Sequence, residues 1–225
     1  MNKTNEANYH RGPVLQGLAR PVLVSAVFFM LVSGIGYPLL TTGVAQLLFH
    51  DQSEGSMIER DGQIVGSAVI GQDFIKPDYF HPRPSATTGP DPSDSSKSVD
   101  QPYNAALSGA SNQGATSKKL IEQVKARVAA YRQENGLAAD AGVPVDAVTA
   151  SASGLDPDIS VANAKLQADR VAKARGLSAQ QVSALIDQKT SQRQLGMLGE
   201  PRVNVLQLNL ALDARSAKPT AARHD

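Results

Sequence analysis

The chain has 225 residues, a formal net charge of +1, and neither cysteine nor tryptophan. Without cysteine there are no disulfides and no thiolate metal centres, and 22 basic against 21 acidic residues leave no basic excess of the kind that nucleic acid demands. The length admits one domain with a real core beside an apolar segment.

Residues 1–20 form a short polar tail with a Gly12-Pro13 turn signal. Residues 21–49 follow without a single charge. As a helix they would measure roughly 42 Å at 1.5 Å per residue, whereas a bilayer core needs only about 20 residues. A buried helix of a globular core seldom stays charge-free for so long. A signal peptide would carry an apolar run of only about 7–15 residues ending in a small-residue cleavage site, and no Ala-x-Ala follows here. The expectation is an uncleaved transmembrane helix over 21–49.

Its flanks set the orientation. Lys3, Arg11 and Arg20, with His10, precede the span against Glu6, while Asp51, Glu54, Glu59 and Asp61 follow it against Arg60. Basic flanks stay in the cytoplasm. Residues 1–20 are therefore expected inside a bacterial inner membrane and residues 50–214 in the periplasm, with 215–225 as a disordered tail. Within the span Ser33, Gly36 and Gly43 fall near one face, with Ser25 further back, and Gly36 and Gly43 are candidate contacts for another helix. Gly34, Gly36 and Pro38 can kink it, although membrane helices carry Gly and Pro in any case.

Beyond the span, residues 62–72 are β-branched and bounded by glycines, which predicts a strand. Residues 73–86 contain Pro77, Pro82 and Pro84 among aromatics and predict an extended strap. Residues 87–118 are rich in Ser, Thr, Gly, Pro, Asn and Asp and predict one long loop. Residues 117–135 place Leu120, Ile121, Val124, Val128 and Tyr131 on one helical face, closed by Gly136. Ser160 caps a second helix closed by Gly176. Ser178 with Gln181 forms a capping box for a third, with Leu177 stapled onto Val182. In 203–213, Leu206, Leu208, Leu210 and Leu212 alternate with smaller or polar residues, which predicts a half-buried strand. The whole reads as one N-terminal transmembrane helix followed by a single extracytoplasmic α+β domain.

No phosphate-binding Walker loop, HExxH pair or nucleophile elbow is present. His10, His50, His81 and His224 are scattered, none with a second histidine at ligand spacing. Asp156 and Asp158 flank Pro157 and could act as paired carboxylates, but turn and cap chemistry ahead of Ser160 is the simpler reading.

Several short motifs, in order behind one span, make the chain specific. They are Gly66-Ser67, Ile70-Gly71-Gln72, Tyr79-Phe80, Arg83-Pro84-Ser85-Ala86, Ser108-Gly109-Ala110-Ser111-Asn112 with Gly114, 148–156, 170–175, and Asn204-Val205-Leu206 with Leu208-Asn209. In this combination the sequence resembles the C subunits of the Kdp-type potassium-transporting P-type ATPases of bacteria, over about residues 15–213. One position departs: the family's loop commonly reads Ser-Gly-Gly-Ser-Asn, and Ala110 replaces the second glycine. If that position needs positive φ, the alanine strains the loop.

The resemblance implies a non-catalytic subunit, without an active site of its own, needed for assembly and stability of an ATP-driven potassium uptake complex. It implies as partners a channel-like A subunit, an ATP-hydrolysing B subunit and a small F subunit. ATP and Mg would be used by the B subunit, and potassium is the transported ion. Arg83, Ser85, Thr149, Ser151, Ser153 and Asp156 become candidate contacts capping the external side of the A subunit. The alternative role is a catalytic chaperone that raises the B subunit's affinity for ATP. On that reading Ser108, Gly109, Ser111 and Asn112, which resemble the signature loop of ABC transporters, would meet a nucleotide's phosphates. No basic residue stands between Lys97 and Lys118 to neutralise them.

Overall fold

The computed structural model describes residues 14–216. His10 and the Gly12-Pro13 turn, His224 and residues 217–225 of the expected tail lie outside the described residues. The chain divides between Glu54 and Gly55 into two compact units.

The first unit is one long helix. α1 (Val14–Leu31) continues through a π-helical turn, Val32–Gly36, into α2 (Tyr37–Leu48), and a short α3 (His50–Ser53) follows. The irregularity expected near Gly34, Gly36 and Pro38 takes the form of that π turn, which includes Gly34, the residue four before Pro38 whose carbonyl a proline ring crowds in a regular helix. Gly17–Leu48 is long and apolar enough to cross a membrane, and its side chains are almost uniformly exposed, as lipid-facing groups would be. Two of its hydroxyls fold back on the helix: Ser25 Oγ donates to the Val22 carbonyl and Thr41 Oγ1 to those of Tyr37 and Pro38, each at 3.0 Å. In hydrocarbon no water would satisfy them.

The second unit mixes small sheets with helices. β1 (Met57–Arg60) and β2 (Gln63–Ser67) form an antiparallel hairpin. Asp61 (φ 54°) and Gly62 (φ 76°) both turn left-handed between them, the geometry that favours Asp-Gly in two-residue hairpins. The strand expected over 62–72 therefore stops at Ser67, and β1 is its partner. Residues 87–118 are not one structureless loop: β3 (Thr88–Asp91) and β4 (Asp94–Asp100) form a second hairpin. Asp91 and Asp94 close its turn by accepting from the backbone N–H and hydroxyl of Ser93 and Ser96. Almost nothing in β4 is buried, so no apolar alternation advertised it.

Local capping signals fix the next helices. α4 (Lys118–Glu134) starts at the Ser117 cap and leaves through Asn135 into left-handed Gly136; α5 (Val145–Val148) is a single turn. β5 (Asp158–Ser160) leads into α6 (Val161–Arg175), capped by Ser160 and ended by Gly176 at φ 64°. α7 (Ala179–Lys189) opens on the reciprocal Ser178–Gln181 capping box. β6 (Thr190–Ser191) and β7 (Arg202–Asn204) complete an antiparallel sheet of order β5-β7-β6.

The final segment overturns the strand expected over 203–213. Only Arg202–Asn204 is strand; α8 (Val205–Ser216) follows. Its inward face is Val205, Leu208, Asn209 and Leu212, a spacing of 3, 4 and 7 residues from the first. The alternating leucines concealed that face because one of its members is an asparagine. The core gathers Ile159 from β5, Val171 from α6, Val182 and Ile186 from α7, Val203 from β7, Leu208 and Leu212 from α8, and Phe80 from the strap.

Candidate functional site

The strap is held by amide side chains where a sheet would use neighbouring strands. Gln167 of α6 accepts from the His81 N–H at 2.7 Å and donates to its carbonyl at 3.1 Å. Asn209 of α8 grips Phe80 in the same way, at 2.9 and 3.0 Å. Arg170 donates to the Pro77 and Tyr79 carbonyls, and Arg175 to that of Asp78 while pairing with Asp213 at 2.9 Å. Proline-rich backbone cannot form a regular ladder, so its polar groups are satisfied one by one.

Beyond the clamp, the strap enters a polar junction. Arg83 Nη1 meets Asp156 Oδ2 at 2.7 Å. Ser85 Oγ donates to the Gly154 carbonyl at 2.8 Å and accepts from the Tyr103 N–H at 3.1 Å. Buried Thr87 donates to the Gln101 carbonyl at 2.6 Å and accepts from the Asn104 N–H at 3.1 Å. Tyr103 donates its hydroxyl to the Arg83 carbonyl at 2.8 Å. Burial pushes that phenol's pKa up, with the Asp156 charge adding to the effect, so it stays a neutral donor. Gly154 sits at φ 69°, where a Cβ would lie 2.5 Å from Thr87 Cγ2 and 2.7 Å from the Gly109 carbonyl.

The 108–112 loop docks onto this same junction. Ser108 Oγ and the Gly109 N–H both donate to the Ser153 carbonyl, at 3.0 and 2.9 Å. The Asn112 amide folds back to the Ala110 carbonyl at 3.3 Å, and it is Asn112 that adopts positive φ, 50°. Ala110 is not left-handed, so the alanine imposes no strain of that kind.

Sequence-predicted residues thus fall into two groups. Arg83, Ser85, Ser108, Gly109, Ser153 and Asp156 converge. Thr149 does not, its hydroxyl returning to the Val145 carbonyl; Ser151 is buried, and Ser111 and Asn112 are exposed. Gly36 and Gly43 belong to the long helix, where an added Cβ would meet only the Leu31 carbonyl at 3.5 Å and nothing, respectively. Asp156 and Asp158 are more than turn formers. Asp156 accepts from the Asp158 N–H, as a turn would have it, but each carboxylate also holds an arginine, Arg83 for Asp156 and Arg202 for Asp158 at 2.8 Å. Burial raises the Asp158 pKa, partly offset by Arg202. Thr87, Tyr103, Gln167 and Asn209 were missed, and only the Leu208-Asn209 motif could have flagged one of them.

Beside the junction a cleft of about 350 Å³ opens between the strap and α4. His81 Nδ1 lies 2.8 Å from Glu134, and Nε2 faces the Lys76 carbonyl at 2.9 Å. Both contacts are hydrogen bonds only for the imidazolium. The described residues contain no cluster of three or more His, Asp or Glu suited to a metal ion.

Comparison with known proteins matches the chain over nearly its full length. The family model described as K+-transporting ATPase, c chain, KdpC, matches residues 19–214. The chain is similar to the potassium-transporting ATPase KdpC subunit of Rhodopseudomonas palustris, 53% identical over 199 residues that cover 88% of this chain and 98% of the relative. It is also similar to the subunit of that name from Mycobacterium tuberculosis, 55% identical over 193 residues that cover 86% and 96%.

Proposed function

The chain belongs to the KdpC family, the c chain of potassium-transporting ATPases, and on that footing we propose that it is the non-catalytic assembly subunit of an ATP-driven potassium uptake complex. Its apolar helix anchors it in the inner membrane with the N-terminus in the cytoplasm, and its α+β domain caps the external side of the potassium-conducting A subunit. The B subunit hydrolyses ATP with Mg, and the small F subunit completes the assembly. The observation that carries this reading is the junction in which Arg83 pairs with Asp156, Ser85 bonds the Gly154 carbonyl and Ser108 bonds the Ser153 carbonyl. A contact surface whose side chains are already ordered loses little further entropy on binding.

The chaperone alternative asks the 108–112 loop to offer donors to phosphate. Its Ser108 hydroxyl and Gly109 N–H are committed to the Ser153 carbonyl instead, which favours the structural role.

ATPase activity of the purified complex, titrated separately with potassium and with ATP, separates the two. Asp156→Asn is expected to loosen the complex or raise the potassium concentration needed, with ATP dependence unchanged. If Ser108→Ala and Asn112→Ala raise the Michaelis constant for ATP in an intact complex, the capping reading fails. A periplasm-dependent reporter fused after Asp213 should be active and one fused before Arg20 inactive; the reverse would invert the topology.

A further inference from the structure

The cleft between the strap and α4 contains arginine donors that the domain does not use. Arg127 projects from α4, half-buried, and its one hydrogen bond is from Nη1 to the Val148 carbonyl at 3.2 Å; among the described residues it meets no carboxylate. Arg83, on the opposite wall, is already paired through Nη1 with Asp156, and its Nε is sealed from solvent. Two acids also line the cleft, Asp73 and Glu134. Glu134 is taken by His81 at 2.8 Å and approached by Arg170 at 3.9 Å, while Asp73 is exposed to solvent. The intervening wall is Phe74, Pro82, Pro84, Tyr103, Ala130 and Tyr131, largely apolar and poorly able to solvate a guanidinium.

We propose that this cleft seats an acidic side chain, Asp or Glu, from another subunit of the complex, with the Arg127 guanidinium as its partner. The proposal rests on the capping function above and names the chemistry of one contact within it. A guanidinium fork matches the two oxygens of a carboxylate, and the match strengthens where walls exclude water. A volume of about 350 Å³ accommodates one side chain with its flanking backbone. The clamps from Gln167 and Asn209 fix the strap wall before any partner arrives.

The test uses the whole complex, with a photo-crosslinking amino acid at Ala130 inside the cleft and, in a parallel sample, at exposed Ala152 beside the junction. Mass spectrometry of the crosslinked peptides is expected to place Ala130 against a segment of another subunit that carries Asp or Glu within a few residues. Arg127→Gln should lower the salt concentration that half-dissociates the complex by about two-fold, Arg127→Lys by less, and Arg127→Glu should be rescued by converting the partner's acid to Arg. Melting of each variant chain alone identifies any that fails to fold, and Arg127→Lys then serves in its place. Crosslinks from Ala152 but not Ala130 to another subunit, or unchanged salt resistance in a folded Arg127 variant, overturn the cleft proposal and leave capping intact. Loss of crosslinking from both positions overturns capping itself.

Discussion

Asn209 holds Phe80 by both of its main-chain groups: Oδ1 accepts the Phe80 N–H at 2.9 Å and Nδ2 donates to the Phe80 carbonyl at 3.0 Å, with both residues essentially sealed from solvent. Gln167 does the same for His81 from the other helix. Two helices distant in sequence therefore define the path of one extended strap.

Asn209→Ala strands a buried donor and a buried acceptor together. At about 1–3 kcal/mol for each unsatisfied group, the variant should lose about 2–6 kcal/mol of stability. Thermal unfolding of the full chain in detergent measures this. A loss under about 1 kcal/mol would mean that water replaces the amide, and the clamp would not be structural.

Two left-handed glycines provide an internal control. Gly154→Ala places its Cβ against Thr87 and the Gly109 carbonyl, whereas Gly176→Ala, at nearly the same φ, points into open space. Gly176→Ala should cost about 1 kcal/mol from backbone conformation alone. Gly154→Ala should cost clearly more and open the 108–112 loop to protease. Equal melting temperatures for the two variants would show that the junction is not tightly packed.

Acid stability should report the strap's attachment to α4. The hydrogen bond from His81, chiefly, with the charges of His81 and Arg170, holds the Glu134 carboxyl below its ordinary value against the opposing effect of burial. Its folded pKa lies below its unfolded one, so the stabilisation is fully present above the unfolded value of about 4.3 and fades as pH falls through the depressed folded value. Glu134→Gln should therefore be less stable than wild type near neutrality, with the gap closing below about pH 4. Asp158, whose raised pKa acts with the opposite sign, is common to both proteins and cancels in the difference. A gap that stays constant into acid would remove the carboxylate from the account.

In the anchor, Gly36→Leu and Gly43→Leu meet little or nothing within the helix itself. Each should leave membrane insertion intact while reducing recovery of the assembled complex, because close approach of a second helix is lost as hydrophobicity rises. Wild-type recovery would mean that this face meets only lipid.

What the sequence determined by itself was local. The charge-free run predicted the long helix; Ser160 and Ser178 marked two helix starts, and Gly136 and Gly176 two exits, because caps depend on neighbours a few residues away. Ordered motifs identified the family. Tertiary structure alone decided the rest. β4 is hydrogen-bonded yet exposed, so it has no hydrophobic signature, and α8 hides an inward asparagine among leucines spaced like a strand. The loops of Arg83 and Asp156 served one reading in sequence and that of Ser108 its rival, yet all three meet in one junction. Ser85, Thr87 and the Ser153 carbonyl find their partners across the fold, and hydrogen bonds between residues so far apart leave no periodic trace in a chain.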